Sequence, residues 1–224
     1  MSIRPNIVGD VVSPDDLDQE KMVVDQIESR GVHDPDVLSA LRSVPRQAFV
    51  PEHLWSASFD DNALPIGHCQ TISQPYIVGK MTELLQLERH HTVLEIGTGS
   101  GYQAAVLSTL VDQVVSVEII PSLADAARAR LKQLGYVNVR VRSGDGFAGW
   151  REHGPYDRIC LTAAPDVVPD AIPEQLKVGG RMVAPVGERH QRLVVWIRRE
   201  NGFDRSTSIG VRFVPMTGKV REKA

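Results

Sequence analysis

The chain has 224 residues, 42% of them hydrophobic, and carries a formal net charge of −3 with an isoelectric point near 6.2. That size and apolar content suffice for one large core or one domain with additions, while the near-neutral charge offers no broad surface for nucleic acid. No apolar run approaches the roughly 18 residues of a membrane span. The amino-terminal sequence M-S-I-R-P-N-I-V-G-D lacks the apolar core of a secretion signal. Of the two cysteines, Cys160 sits within the apolar run R-I-C-L-T as a small hydrophobe, so a reduced, cytoplasmic protein is expected.

In chain order, residues 1–12 mix Pro, Gly, Asp and Asn with little periodicity and read as a mobile tail. Ser13-Pro14-Asp15-Asp16 opens a helix: Ser13 can cap it, Pro14 suits its first turn and Asp16 fits a capping box. Val23, Val24 and Ile27 supply its apolar side, and Gly31 ends it. A second helix starts at Asp34-Pro35, places Val37, Leu38, Leu41 and Val44 on one face, and stops at Pro45. These two helices form a cap. The segment 49–75 has no strong period, and a loop that long inside a compact domain is usually functional.

That segment ends in L-P-I-G-H-C-Q-T-I-S-Q-P, followed by a predicted helix over 76–87, so Ser73 stands at or one residue before its N-cap. A plain capping role fits the local sequence. The same position also offers an anion site, because helix amino termini expose N–H groups and positive dipole ends, and a hydroxyl there could hold a carboxylate. Gln70 and Thr71 add donors. His68 and Cys69 are adjacent but have no distant partner set, which argues against metal, and His90-His91 reads as a polar loop before the first strand.

The next stretch, V-L-E-I-G-T-G-S-G-Y, runs a buried strand into glycines at positions 97, 99 and 101. Gly97 and Gly99 would let backbone N–H groups approach a ligand, and Gly101 would let the next helix, predicted over 102–111, start tight against the strand. A dinucleotide fingerprint would place its third glycine at Tyr102 rather than Gly101. The E-x-G-x-G-x-G form instead resembles the first motif of S-adenosylmethionine-dependent methyltransferases. Glu118 closes V-V-S-V-E about 20 residues later, where an acid can accept both ribose hydroxyls.

A helix over 122–134 is predicted next, with Ser122 and Asp125 in capping-box positions and Gly135 beyond its end. A strand over 137–141 leads to Ser143-Gly144-Asp145-Gly146. Asp145, at a strand's carboxyl end, could accept from an adenine amino group; Asp-Gly is equally a common turn. Strands over 156–162 and 182–186 follow, the second after a Gly179-Gly180 turn. Segments 193–198 and 208–214, joined by Glu200-Asn201-Gly202, suggest an antiparallel pair. This alternation predicts an α/β, doubly wound, mostly parallel sheet of Rossmann-like type with a helical cap in front and an antiparallel pair behind. The expected division is one domain, 13–224: cap and substrate loop over 13–91, core over 92–218, and a tail over 219–224.

The run L-P-I-G-H-C-Q-T-I-S-Q-P-Y-I-V ahead of V-L-E-I-G-T-G-S-G-Y closely resembles the protein-L-isoaspartate O-methyltransferase family. The likeness continues through G-D-G-F-A-G-W, P-Y-D-R-I-C-L-T-A-A, Q-L-K-V-G-G-R-M-V-A-P-V-G and V-R-F-V-P-M-T-G, and covers nearly all of 38–218. It implies S-adenosyl-L-methionine as methyl donor, S-adenosyl-L-homocysteine as product, no metal, and isoaspartyl-containing peptides and proteins as partners. It also implies roles: Ser73 near the substrate carboxylate, with Gln70, Thr71 and Ile72 enclosing the cofactor. Further cofactor contacts are implied for Gly97, Thr98, Gly99, Ser100 and Gly101, for Glu118, and for Asp145 with Gly146, while Thr217 folds back over the ligand. Cys69 departs from the glycine that the family commonly places before Q-T-I-S, which makes the backbone angles there a point to test.

The implied reaction needs no general base, because the free α-carboxylate of an isoaspartyl residue is already ionised at neutral pH. That agrees with the lack of an obvious His/Asp pairing. Two other readings stand beside this one: a methyltransferase with another acceptor, such as a small molecule or RNA, and a cofactor-binding adaptor without activity. A monomer is expected, since no heptad or long apolar helix face demands a partner.

Overall fold

The computed structural model describes residues 14–221; the expected tail over 1–12, the Ser13 cap and residues 222–224 lie outside them. Helix α1 (Pro14–Met22) continues through a π-helical turn (Val23–Ile27) and a 3-10 turn (Glu28–Arg30) to Gly31, whose φ of 86° closes it. Val24, expected on the apolar side, is exposed. The wider π turn stacks Val23 over Ile27 and rotates Val24 off that face. Asp34 caps α2 (Pro35–Ser43) by accepting from the N–H groups of Asp36 and Val37 at 2.9 and 3.2 Å. The Gln19 amide donates to the carbonyls of Leu41, Arg42 and Val44, satisfying groups that the helix end leaves open.

The segment predicted as one long loop has structure of its own. Two 3-10 turns, Arg46–Phe49 and Glu52–Ala57, lead to an antiparallel hairpin of β1 (Leu64–Gly67) and β2 (Gln70–Ile72). His68 and Cys69 form its turn with φ of 51° and 56°, so both are left-handed. Glycine or asparagine normally marks such a turn, and their absence hid the hairpin. Helix α3 (Pro75–Leu85) follows; Gln74 is its N-cap, and no side chain caps it. The plain capping role for Ser73 is therefore not what the fold uses.

The core then runs β3 (Thr92–Ile96), α4 (Tyr102–Leu110), β4 (Gln113–Glu118), α5 (Pro121–Gln133), β5 (Val139–Ser143), β6 (Tyr156–Leu161), β7 (Leu176–Val186), β8 (Gln191–Arg199) and β9 (Gly202–Val211). These seven strands form one sheet in the order β5-β4-β3-β6-β7-β8-β9. Neighbours are parallel from β5 to β7, and β8 runs antiparallel to both β7 and β9. Alternate residues serve opposite faces. Val93, Val114, Cys160 and Val183 pack with the helical cap, whereas Leu94, Ile96, Val115 and Ile159 pack with Val168, Ile172 and Met216.

Three local expectations are corrected. Ile120, not Ser122, is the N-cap of α5, because Pro121 takes the first helical position and leaves Ser122 inside the turn. Strand β5 begins two residues late, since Val137 is 87% exposed at the turn after α5. Strand β7 passes through Gly179-Gly180 with an irregular register against β6 rather than starting after them. Beyond β5 the connections between parallel strands are 3-10 turns, not long helices.

Candidate active site

The order of strands reverses direction between β3 and β6, and ligands of open α/β sheets bind outside the carboxyl ends at such a point. A cleft of about 770 Å³ lies there. Its lining contains Gln70, Thr71, Ile72 and Ser73 from β2 and its exit, and Gly97, Thr98, Gly99 and Ser100 from the turn after β3. Tyr102, Glu118, Gly146, Thr162 and Thr217 are also on its lining. Sequence positions up to 147 apart thus meet as predicted, with two exceptions, Gly101 and Asp145.

Gly101 (φ 93°) faces α5 instead: a Cβ there would sit 3.3 Å from Leu131. It lets α4 start tight against its neighbour, as the motif required, without touching the cleft. Gly97 (φ 101°) has no room for a side chain, since Thr162 occupies that space and donates its hydroxyl to the carbonyls of Ile96 and Gly97. A Cβ there would collide with the Thr162 hydroxyl, so the close approach of the two backbones requires glycine.

Asp145 uses its carboxylate on the backbone. One oxygen accepts from Phe147 N–H at 2.8 Å, capping a 3-10 turn, and the other from Lys219 N–H at 2.9 Å. The acid is therefore an anchor for the segment after β9. That strap is also pinned where Ala164 N–H donates to Val214 O and Met216 N–H to Ala164 O, at 2.9 and 2.7 Å, and it lays Thr217 along the cleft. From the other side the β1–β2 hairpin leans in, with His68 Nε2 2.9 Å from Ser122 Oγ at the start of α5.

Glu118 is the only carboxylate on the cleft lining among the described residues. Its oxygens accept from Gly99 N–H at 2.8 Å and Ile120 N–H at 3.0 Å, so the group is fixed while each oxygen retains a second acceptor position. Behind the glycine turn, Glu95 is fully buried and accepts from Ser116, whose hydroxyl is 2.5 Å from Thr98 Oγ1. Burial pushes the Glu95 carboxyl up to about 8, with the Ser116 hydrogen bond opposing and the Glu118 charge adding. The Glu95 carboxyl thus holds its proton well above the usual carboxylate range. No histidine, lysine or cysteine lines the cleft among the described residues.

A second, larger groove of about 1600 Å³ opens onto the same place and shares Thr71, Ser73, Thr162 and Val214 with the first. Arg30 and Tyr76 stand on its wall, the guanidinium 3.7 Å from the ring centre and paired with Asp61 at 2.8 Å. Arg189, His190, Arg192 and Arg212 stand on it too, and none of these three arginines has an ion-pair partner among the described residues. Sequence reasoning missed this basic groove because its residues come from the β7–β8 loop, β8 and the end of β9. Arg46 was missed too. Its side chain donates to the Ser73 carbonyl at 2.8 Å, and an arginine next to Pro45 in an irregular stretch carries no local signal.

Glu88, His90 and His91 hold ligand atoms within 4.8 Å of one another, but they precede β3, at the end opposite the cleft. His91 Nδ1 already accepts from Glu88 N–H at 2.8 Å.

Comparison with known proteins agrees with this geometry. Residues 18–221 match the family model described as protein-L-isoaspartate(D-aspartate) O-methyltransferase. The chain is 50% identical over 200 residues to a Picosynechococcus protein-L-isoaspartate O-methyltransferase, covering 89% of this chain and 90% of the relative. It is 51% identical over 208 residues to the one from Opitutus terrae, covering 92% and 88%. A solved protein-L-isoaspartate O-methyltransferase superposes with a TM-score of 0.82 at 30% identity, over 90% of this chain and 67% of that one. A Plasmodium falciparum protein in complex with S-adenosyl-L-homocysteine shares the fold, with a TM-score of 0.78 at 20% identity, over 89% and 98%.

Proposed function

Because the chain belongs to the protein-L-isoaspartate(D-aspartate) O-methyltransferase family, we propose that the two joined clefts are its donor and acceptor sites and that Ser73 stands at their meeting point. The protein is an enzyme that uses S-adenosyl-L-methionine to methylate L-isoaspartyl residues of damaged peptides and proteins, initiating their repair. The observation that carries the site assignment is that Ser73 lines both clefts.

When bound, S-adenosyl-L-methionine supplies a methyl group on a positively charged sulfonium. Glu118 is suited to hold the ribose hydroxyls, its free acceptor positions being fixed by Gly99 and Ile120. Gly97, Thr98, Gly99 and Ser100 present backbone against the ligand, and Gln70, Thr71 and Ile72 with Thr217 cover it. Gly146 belongs to the same wall, where any side chain would collide with Ile96. Ser73 orients the substrate carboxylate rather than activating it, since that group needs no deprotonation. The hairpin exit and the strap line the cleft, and water displaced from between them on ligand binding would favour a reaction that cancels opposite charges. Alignment supplies much of the rest, worth roughly 7–11 kcal/mol in intramolecular precedents.

The same reading takes 13–224 as one domain, supported by a core that mixes Val37, Leu41 and Ile72 of the cap with Val93 and Leu107. It takes the working form to be a monomer in the cytoplasm acting on neither nucleic acid nor membrane. The modest net charge supports the exclusion of nucleic acid; among the described residues no helix is long and apolar enough to cross a bilayer.

The test is transfer of labelled methyl to an isoaspartyl peptide beside the same peptide with normal aspartate. Label on the isoaspartyl peptide alone is expected. For Ser73→Ala, turnover should fall at least tenfold while S-adenosyl-L-homocysteine affinity holds; unchanged turnover removes Ser73 from the site.

A further inference from the structure

Arg46 is fully buried, yet no carboxylate lies within ion-pair distance of it among the described residues. Its guanidinium donates through Nε to the Ser58 carbonyl and through one terminal nitrogen to the Ser73 carbonyl, both at 2.8 Å. The other terminal nitrogen is buried with no hydrogen bond of good geometry, and the neutral Tyr102 side chain, its own hydroxyl buried, is the polar group that interacts with it. The group lies 5.0 Å from the centre of the Tyr102 ring. Tyr102 lines the donor cleft, and Ser73 lines both clefts.

An isolated buried charge is a liability that folds rarely keep, since burial alone opposes the charged form. Burial does hold Arg46 below the ordinary guanidinium range, with Tyr102 opposing in part. Two carbonyls and an aromatic face stabilise a cation without neutralising it. The positive charge therefore remains for whatever enters the cleft, and in a low-dielectric setting its field reaches further than it would in water.

We propose that Arg46 is a positioning residue whose uncompensated charge, lodged behind Ser73, selects an anionic acceptor: the peptide's free α-carboxylate. The inference rests on the reading of Ser73 as the acceptor site. It assigns the recognition of charge to a residue that never touches the substrate. Ser73 supplies direction, and Arg46 supplies the preference for an anion.

The experiment compares wild-type binding of an isoaspartyl peptide with that of its isoasparaginyl analogue, whose α-carboxamide has nearly the same shape and no charge. Competition in the methyl-transfer assay reads the ratio. At least tenfold preference for the carboxylate is expected, and it persists at 0.5 M salt because a buried charge is little screened. Preference that vanishes in salt would assign recognition to the exposed arginines and overturn the proposal, as would equal binding at any salt.

Variants add a second arm. Arg46→Lys keeps the charge and should hold the peptide KM within about threefold of wild type, whereas Arg46→Met should raise it at least tenfold. Affinity for S-adenosyl-L-homocysteine, measured by calorimetry, reports that each variant is folded. Equal KM values for the two variants, whether raised or at the wild-type level, would show that the charge does not select the acceptor and would overturn the proposal. A wild-type protein that fails to methylate isoaspartate at all would sink the functional reading itself, a result separate from methylation without preference for charge.

Discussion

Glu95 occupies a position that looks wasteful: an acid in the middle of an apolar strand, with one oxygen buried and unpartnered. Its folded pKa of about 8 lies above the usual value of 4.5, so the fold binds the proton more tightly than the open chain does. The associated stability is fully present below about pH 4.5 and is lost as pH rises through about 8, at about 1.4 kcal/mol per unit inside that window. Glu95→Gln keeps an acceptor for Ser116 and removes the titration. Urea unfolding at a series of pH values should give a flatter profile for the variant; parallel profiles would show that Glu95 does not carry the effect. At the same scale, Cys69 holds a left-handed conformation that favours glycine. Cys69→Gly should raise stability by about 0.5–1 kcal/mol in thermal unfolding, since relief of strain exceeds the added entropy of the open chain. The hairpin forms with Cys69 in place, so this departure leaves the site assembled.

At the scale of elements, strands and helices with regular periods were legible, and so was the glycine turn, because its chemistry is local. What escaped were features decided by tertiary contact. The β1–β2 hairpin is short and gains its shape by leaning on Ser122 and the glycine turn. Asp145 was correctly placed at the end of β5, but its partner Lys219 is 74 residues away, and nothing in a Ser-Gly-Asp-Gly turn announces a strap. The strap yields its own prediction. Gly218 has φ of 87°, and a Cβ there would lie 2.6 Å from Asp145 Oδ2 and 2.8 Å from Ile119. Gly218→Ala should dislodge this crossing and weaken S-adenosyl-L-homocysteine binding at least fivefold. Calorimetry checks the affinity, and an unchanged urea midpoint for the rest of the fold localises the effect.

For the molecule as a whole, a net charge of −3 conceals an uneven distribution. The proposed acceptor groove carries Arg189, Arg192 and Arg212 without ion-pair partners among the described residues, although the overall composition gives no hint of a basic face. Composition sums over a surface that the fold then sorts, and the sorting depends on a sheet order that brings the β7–β8 loop and the end of β9 opposite α3. Exposed charges of this kind each contribute about 0.2–1 kcal/mol and are screened by salt. Peptides with acidic residues flanking the isoaspartate should therefore show KM values several-fold lower than those with basic flanks at low salt. The gap should close at 0.5 M salt and shrink in Arg189→Gln with Arg212→Gln. A gap that ignores salt would mean that the groove does not contact the flanks.

The shared boundary of the two clefts also sets a sequence in time. The β2 exit and the strap line the proposed donor cleft, and the proposed acceptor groove joins it at Ser73, so a peptide seated in that groove would close the shared side of the donor cleft. Catalysis should then follow a compulsory order, with the nucleoside substrate entering first and its demethylated product departing last. In steady-state inhibition, S-adenosyl-L-homocysteine should compete with the donor yet act noncompetitively toward the peptide. Turnover in a cell would follow the ratio of the two nucleosides as much as the supply of damaged protein.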